Sequence, residues 1–88
     1  MKFDYSALIG FIYSTPELRN KAGFARYLGI SFQAVKNKLD GKFAFSQEDI
    51  AKMKVDFNLT AEQIDRYFFT VELLKGNYEE SKQEGINS

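Results

Sequence analysis

The chain has 88 residues, with 12 basic and 12 acidic side chains, no histidine and no cysteine, a length that suits one domain with a single modest core. The lack of imidazole and thiol groups excludes histidine bases, cysteine nucleophiles, disulfide frameworks and the usual zinc sites, so no catalytic residue, metal ligand or cofactor is expected. No apolar run approaches the roughly 18 residues of a membrane span, and the opening MKFDYSALIGFIYS carries an acid and polar breaks where a secretory leader needs a clean apolar segment, so the expected place is the cytoplasm, with neither a membrane nor a small-molecule substrate as partner.

Tyr5, Leu8, Ile9 and Ile12 recur at helical spacing and predict a first amphipathic helix over about residues 5 to 13, ended by Ser14-Thr15-Pro16. The next start has two readings. Thr15 can cap a helix with Pro16 at its first position, or Asn20 can cap one that begins at Lys21; the second is favoured, with a turn near Pro16. That second helix turns Phe24, Ala25 and Leu28 inward and stops at Gly29, the residue a left-handed terminus prefers. Ser31 caps a third helix, stapled by Ile30 and Val35 and closed by Gly41.

Phe45-Ser46-Gln47-Glu48-Asp49-Ile50 repeats the pattern, with Ser46 as cap and Phe45 with Ile50 as staple; Ile50, Met53 and Phe57 mark the inner face of helix four. Leu59-Thr60-Ala61-Glu62-Gln63-Ile64 does so once more, opening a fifth helix that is expected to run at least to Phe69. No alternation of period two is sustained, so the fold class is all-α, a compact five-helix domain over residues 1–75. The polar tail GNYEESKQEGINS, residues 76–88, is expected to be disordered.

Although the total charge cancels, its distribution is uneven. Arg19, Lys21, Arg26, Lys36, Lys38 and Lys42 stand against one acid, Asp40, which leaves residues 19–42 at +5; from Phe43 onward five basic residues face nine acidic ones. Such asymmetry suits a face turned to a polyanion, and a solvated patch would look the same. Around Leu28-Gly29-Ile30-Ser31 two helices make a tight turn in which Ala25 permits close approach and Leu28, Ile30, Val35 and Leu39 hold the crossing. Phe32, Gln33, Lys36 and Asn37 fall on the remaining outward face, with Phe32 placed there or tucked into the core. The remaining phenylalanines, Phe43 and Phe69 among them, read as core and staple residues.

The run A-x-x-x-G-I-S-x-x-x-V from Ala25 to Val35, followed by Asp40-Gly41, resembles the helix-turn-helix of the Cro and repressor-type regulators of bacteriophages. The wider pattern from Phe3-Asp4-Tyr5 to Tyr67-Phe68-Phe69 is similar to small Cro-like phage and prophage proteins of Gram-positive bacteria. The resemblance implies a sequence-specific, DNA-binding transcriptional regulator of the lambda-repressor/Cro-like fold, whose helix 31–40 enters the major groove of double-stranded operator DNA. It implies base contacts from Phe32, Gln33, Lys36 and Asn37 and backbone contacts from Lys21, Ser31 and Lys42. Phe32, where the family more often has a polar residue, and the acidic Asp40 depart from the pattern. The rival class is a protein-interaction module on the same scaffold, binding another regulator without DNA affinity of its own.

A homodimer is expected from the end of helix five. If that helix continues to Leu74, Phe69 and Leu73 form a second apolar stripe opposite the one the core covers, and a second copy would bury it. Alternatively the chain leaves the helix at Thr70-Val71 and folds back.

Overall fold

The computed structural model describes residues 2–72, which form five helices and, among those residues, no strand: α1 (Ser6–Ser14), α2 (Lys21–Leu28), α3 (Phe32–Leu39), α4 (Gln47–Asp56) and α5 (Ala61–Phe68). Helices α2 to α5 each begin where a side-chain oxygen takes an otherwise unpaired amide. Asn20 Oδ1 accepts from the Gly23 N–H at 2.9 Å, Ser31 Oγ from Ala34 at 3.0 Å and Ser46 Oγ from Asp49 at 3.0 Å. Thr60 Oγ1 accepts from Gln63 at 3.1 Å while Gln63 Oε1 accepts from the Thr60 N–H at 2.8 Å, a reciprocal box. Each such cap is worth roughly 1 kcal/mol. Helix α1 has no cap of this kind at Tyr5; instead Asp4 Oδ1 accepts from the Ser6 N–H at 2.8 Å, and the Ser6 side chain, then this backbone bond, hold the Asp4 carboxyl below its ordinary range.

Thr15 ends α1 as a buried residue whose hydroxyl donates to the Phe11 carbonyl at 2.6 Å. Its own carbonyl accepts from Leu18 and Arg19, both at 2.9 Å, so Pro16 lies in a turn and α2 starts at Lys21. Gly23 is needed there for space: a Cβ on it would sit 1.7 Å from the Leu18 carbonyl oxygen. The helix therefore lies directly on the turn that leads into it.

Leu8, Ile12, Leu18, Phe24, Val35 and Met53 are wholly buried, with Phe68 and Leu39 nearly so, and the core draws on every helix. The aromatic rings join in one chain of contacts. From Phe69 it passes through Phe3, Tyr5 and Phe45 to Phe68 and Phe24, and from Phe24 through Tyr27, Phe57 and Phe11 to Tyr67, with centroids 5.0 to 6.4 Å apart. Tilted and edge-on pairs of this kind add to plain burial. A polar tie joins α2 to α4, where the Tyr27 hydroxyl donates to Asp56 Oδ2 at 2.6 Å and Lys52 Nζ reaches the same oxygen at 3.2 Å.

The end of α5 corrects the expected run to Phe69 and beyond. The helix stops at Phe68; Phe69 caps it, its N–H still bonded to the Asp65 carbonyl at 2.9 Å. The Thr70 hydroxyl then donates back to the Arg66 carbonyl at 2.7 Å, a competition for backbone acceptors that β-branched hydroxyl residues bring to helix ends. Beyond it the chain pairs with the N-terminal segment: Asp4 N–H donates to Thr70 O and Glu72 N–H to Lys2 O, both at 2.7 Å, around an antiparallel bridge between Phe3 and Val71. The helix expected to carry Phe69 onward as a stripe therefore ends before it. Leu73 and the tail expected over 76–88 lie outside the described residues.

Candidate nucleic-acid interface

The turn between α2 and α3 is set by Gly29, whose φ of 74° lies in the left-handed region that side chains resist. A Cβ there would touch nothing, so backbone conformation and not space demands the glycine. The Ala25 carbonyl accepts from both Gly29 and Ile30, at 2.8 and 3.1 Å, and locks the turn. Val35 and Leu39, one helical turn apart, anchor α3 in the core beside Ala25, with Leu28 and Ile30 half-buried around the crossing.

That anchoring fixes which face of α3 meets solvent. Phe32, Gln33 and Lys36 are exposed and Asn37 is half-buried, so the four expected contact residues share one outer surface. Phe32 is 50 % exposed, which removes the reading that tucks it into the core. Gln33 Nε2 donates to Asn37 Oδ1 at 3.2 Å, joining the two amides across one turn.

Lys21 opens α2, where a cation opposes the helix dipole; a bound anion at that end would remove the conflict. Ser31 is exposed, and its oxygen accepts from Ala34 while its own proton stays available to an acceptor. Lys42 is exposed on the turn after α3, its N–H bonded to the Asn37 carbonyl at 2.9 Å. Gly41 adopts a φ of 86° there, and the aliphatic stem of Lys2 passes over it. Among the described residues the one ion pair is Lys52 with Asp56, so Lys21, Arg26, Lys36 and Lys42 have no acidic partner there.

Sequence reasoning missed two features of this surface. Lys38, counted in the basic segment, is turned away: its Nζ donates to the Ala44 carbonyl at 3.0 Å and lies 5.6 Å from the Phe45 ring centre. Phe43, read as core, is 60 % exposed, whereas Phe45 two residues on is buried. Strict alternation in the segment 43–45 was the one available signal. Phe69, read both as core and as part of a stripe the core does not cover, is 46 % exposed, with its ring edge-on to Phe3.

Two shallow grooves lie apart from the outer face of α3. One of about 260 Å³ runs past Lys2, Asp4, Leu39 and Asp40, and another of about 290 Å³ past Lys54, Ala61, Ile64 and Phe69. Among the described residues no cluster of acidic side chains is arranged to hold a metal ion, and no helix is long and apolar enough to cross a membrane.

A family model matches residues 1–71, the whole of the five-helix body. The chain belongs to the family described as Protein of unknown function (DUF739). No curated protein matches this DUF739 chain. The matched span includes the α2–α3 turn, the outer face of α3 and the bridge between Phe3 and Val71, and it ends one residue short of Glu72.

Proposed function

We propose that this protein is a sequence-specific DNA-binding transcriptional regulator of Cro or repressor type, from a phage or prophage, acting in the bacterial cytoplasm. Helix α3 lies in the major groove of operator DNA, and occupancy blocks or redirects transcription. The observation that carries this reading is the outer face of α3, polar, anchored from behind by Val35 and Leu39, and flanked by lysines without acidic partners among the described residues. Gln33 and Asn37 present amides of the kind that pair with adenine, Lys36 reaches guanine O6 and N7, and Phe32 lies against a thymine methyl. Lys21, Ser31 and Lys42 hold phosphates and fix the register.

Selection of bound duplexes from random DNA tests the reading. Asn37→Ala should then cost about 1–3 kcal/mol and relax the sequence preference, whereas Lys42→Ala should weaken all duplexes alike. A selection without enrichment, or unchanged affinity in both Asn37→Ala and Gln33→Ala, would remove α3 as the reading surface.

A second copy of the chain is the partner this reading expects, because paired recognition helices about one DNA turn apart, roughly 34 Å, multiply a weak half-site. Exposed Phe69 and Val71 offer the apolar surface, and sedimentation equilibrium of the wild type and Phe69→Asp on a palindromic site reads it out. The rival protein-interaction module draws support from the exposed Phe32, an apolar anchor of the kind protein interfaces favour.

A further inference from the structure

Two of the nine phenylalanines stand outside the aromatic contact chain, and both flank α3: Phe32 at its first position and Phe43 just past its C-terminal turn. Phe43 is the more exposed of the two, at 60 %. The loop that carries it is nonetheless held on every side. Gly41 N–H donates to the Lys38 carbonyl at 3.0 Å, Lys42 N–H to the Asn37 carbonyl at 2.9 Å, and Lys38 Nζ to the Ala44 carbonyl at 3.0 Å. Buried Phe45 pins the far end into the core. A tied loop thus presents a large apolar ring to solvent, with Lys42 directly before it.

Resting on the DNA-binding reading above, we infer that Phe43 is a further DNA contact, one made to the sugar wall of the groove and not to a base. Helix α3 has eight residues, which at 1.5 Å each makes it about 12 Å long, close to the roughly 12 Å width of the major groove. The loop over residues 40–44 leaves α3 at its C-terminal end, and with α3 set across the groove that loop meets the groove wall. That wall alternates anionic phosphate oxygens with the apolar C–H faces of deoxyribose. The adjacent pair Lys42 and Phe43 matches both components, cation to phosphate and ring to sugar. Because every nucleotide carries the same sugar, the contact adds affinity without sequence preference. Because burial of a ring releases no counterions, it adds affinity without adding to the salt dependence.

The test measures affinity by fluorescence anisotropy across a salt series, on the duplex recovered by selection and on an unrelated duplex of equal length. Phe43→Ala should weaken both by about tenfold and leave the slope against salt unchanged, since it removes buried apolar area alone. Phe43→Leu should keep most of the affinity, and Lys42→Ala should lower the slope by about one. The exposure of Phe43 leaves folding intact in these variants, which thermal melting verifies. Phe43→Ala binding like the wild type, while Asn37→Ala loses affinity, would overturn this contact and leave the DNA reading in place. A loss confined to the selected duplex would mean a base contact and would also overturn it. A wild type that binds neither duplex would remove both.

Discussion

The side-chain amide of Gln33 donates to the amide oxygen of Asn37 across 3.2 Å, one turn along the exposed face of α3. The bond leaves the Gln33 oxygen and the Asn37 amino group for other partners, with their orientations coupled. Their roles in binding should therefore not add. In a double-mutant cycle on operator affinity, Gln33→Ala with Asn37→Ala should cost less than the sum of the single changes by about 0.5–1 kcal/mol. Additivity within a few tenths would mean that the two amides act independently. Folding is little affected, since such a pair contributes only about 0.2–0.5 kcal/mol to a helix.

Lys38 behaves as a brace for the loop that carries Lys42 and Phe43. Lys38→Met keeps the stem but removes the bond to the Ala44 carbonyl and the cation from the Phe45 ring. A stability loss of about 1 kcal/mol is expected in denaturant titration, with faster amide exchange at Gly41 and Lys42. The salt slope of DNA binding should stay at the wild-type value, because this lysine contacts no phosphate. A slope lowered by about one would show that Lys38 leaves Ala44 to reach the backbone of the duplex.

Gly10 and Gly23 both sit inside helices, yet alanine should have opposite effects at the two sites. A Cβ at Gly10 meets nothing within 4 Å, so Gly10→Ala should stabilise by about 0.5–1 kcal/mol through backbone entropy. At Gly23 the Cβ would overlap the Leu18 carbonyl, and Gly23→Ala should cost about 3 kcal/mol or more. Chemical denaturation of the two variants side by side measures the contrast, and equal effects would contradict the close seat of α2 on the Leu18 turn.

The tie between Tyr27 and Asp56 makes stability depend on pH at both extremes. Hydrogen bonds from Tyr27 and Lys52 hold the Asp56 carboxyl below its ordinary range, so this contribution is present above the carboxylate range and lost as pH falls through the lowered pKa. Burial, then the bond to Asp56, pushes the Tyr27 hydroxyl well above the ordinary tyrosine value of 10.0. Its contribution is complete below that value and is lost as pH rises past it. Thermal melts of Tyr27→Phe should show a smaller acid loss and a smaller alkaline loss than the wild type. The alkaline loss should persist in part, because burial raises Tyr5 as well. An unchanged acid limb would mean that the bond is not formed in solution, and an unchanged alkaline limb would mean that burial does not hold the Tyr27 hydroxyl in its neutral form.

The local chemistry of the helix starts was readable from the residues alone, because a cap needs only a side-chain oxygen and an amide three positions on. Asn20, Ser31, Ser46 and Thr60 were found that way. So were the left-handed Gly29, the end of α3 near Gly41, and the outer face of α3, which follows from the period of Val35 and Leu39. What escaped depends on partners distant in the chain or on choices that composition does not mark. The closure of Lys2–Asp4 on Thr70–Glu72 spans nearly the whole body and leaves no local pattern. Lys38 looks like any solvated lysine until the carbonyl of Ala44 is seen beside it. Phe43 looks like any core phenylalanine until Phe45 is seen to take the inward place.

The salt dependence of DNA affinity separates the DNA-binding reading from its rival. On the selected duplex, the logarithm of affinity should fall linearly with the logarithm of salt concentration, by about 0.9 for each phosphate-bound lysine, or roughly 2 per chain from Lys21 and Lys42 together. Replacing both by alanine should bring that slope near zero while the sequence preference set by Gln33 and Asn37 survives. A wild type that binds no duplex even at low salt, or one whose affinity does not change with salt, would contradict the placement of α3 in operator DNA.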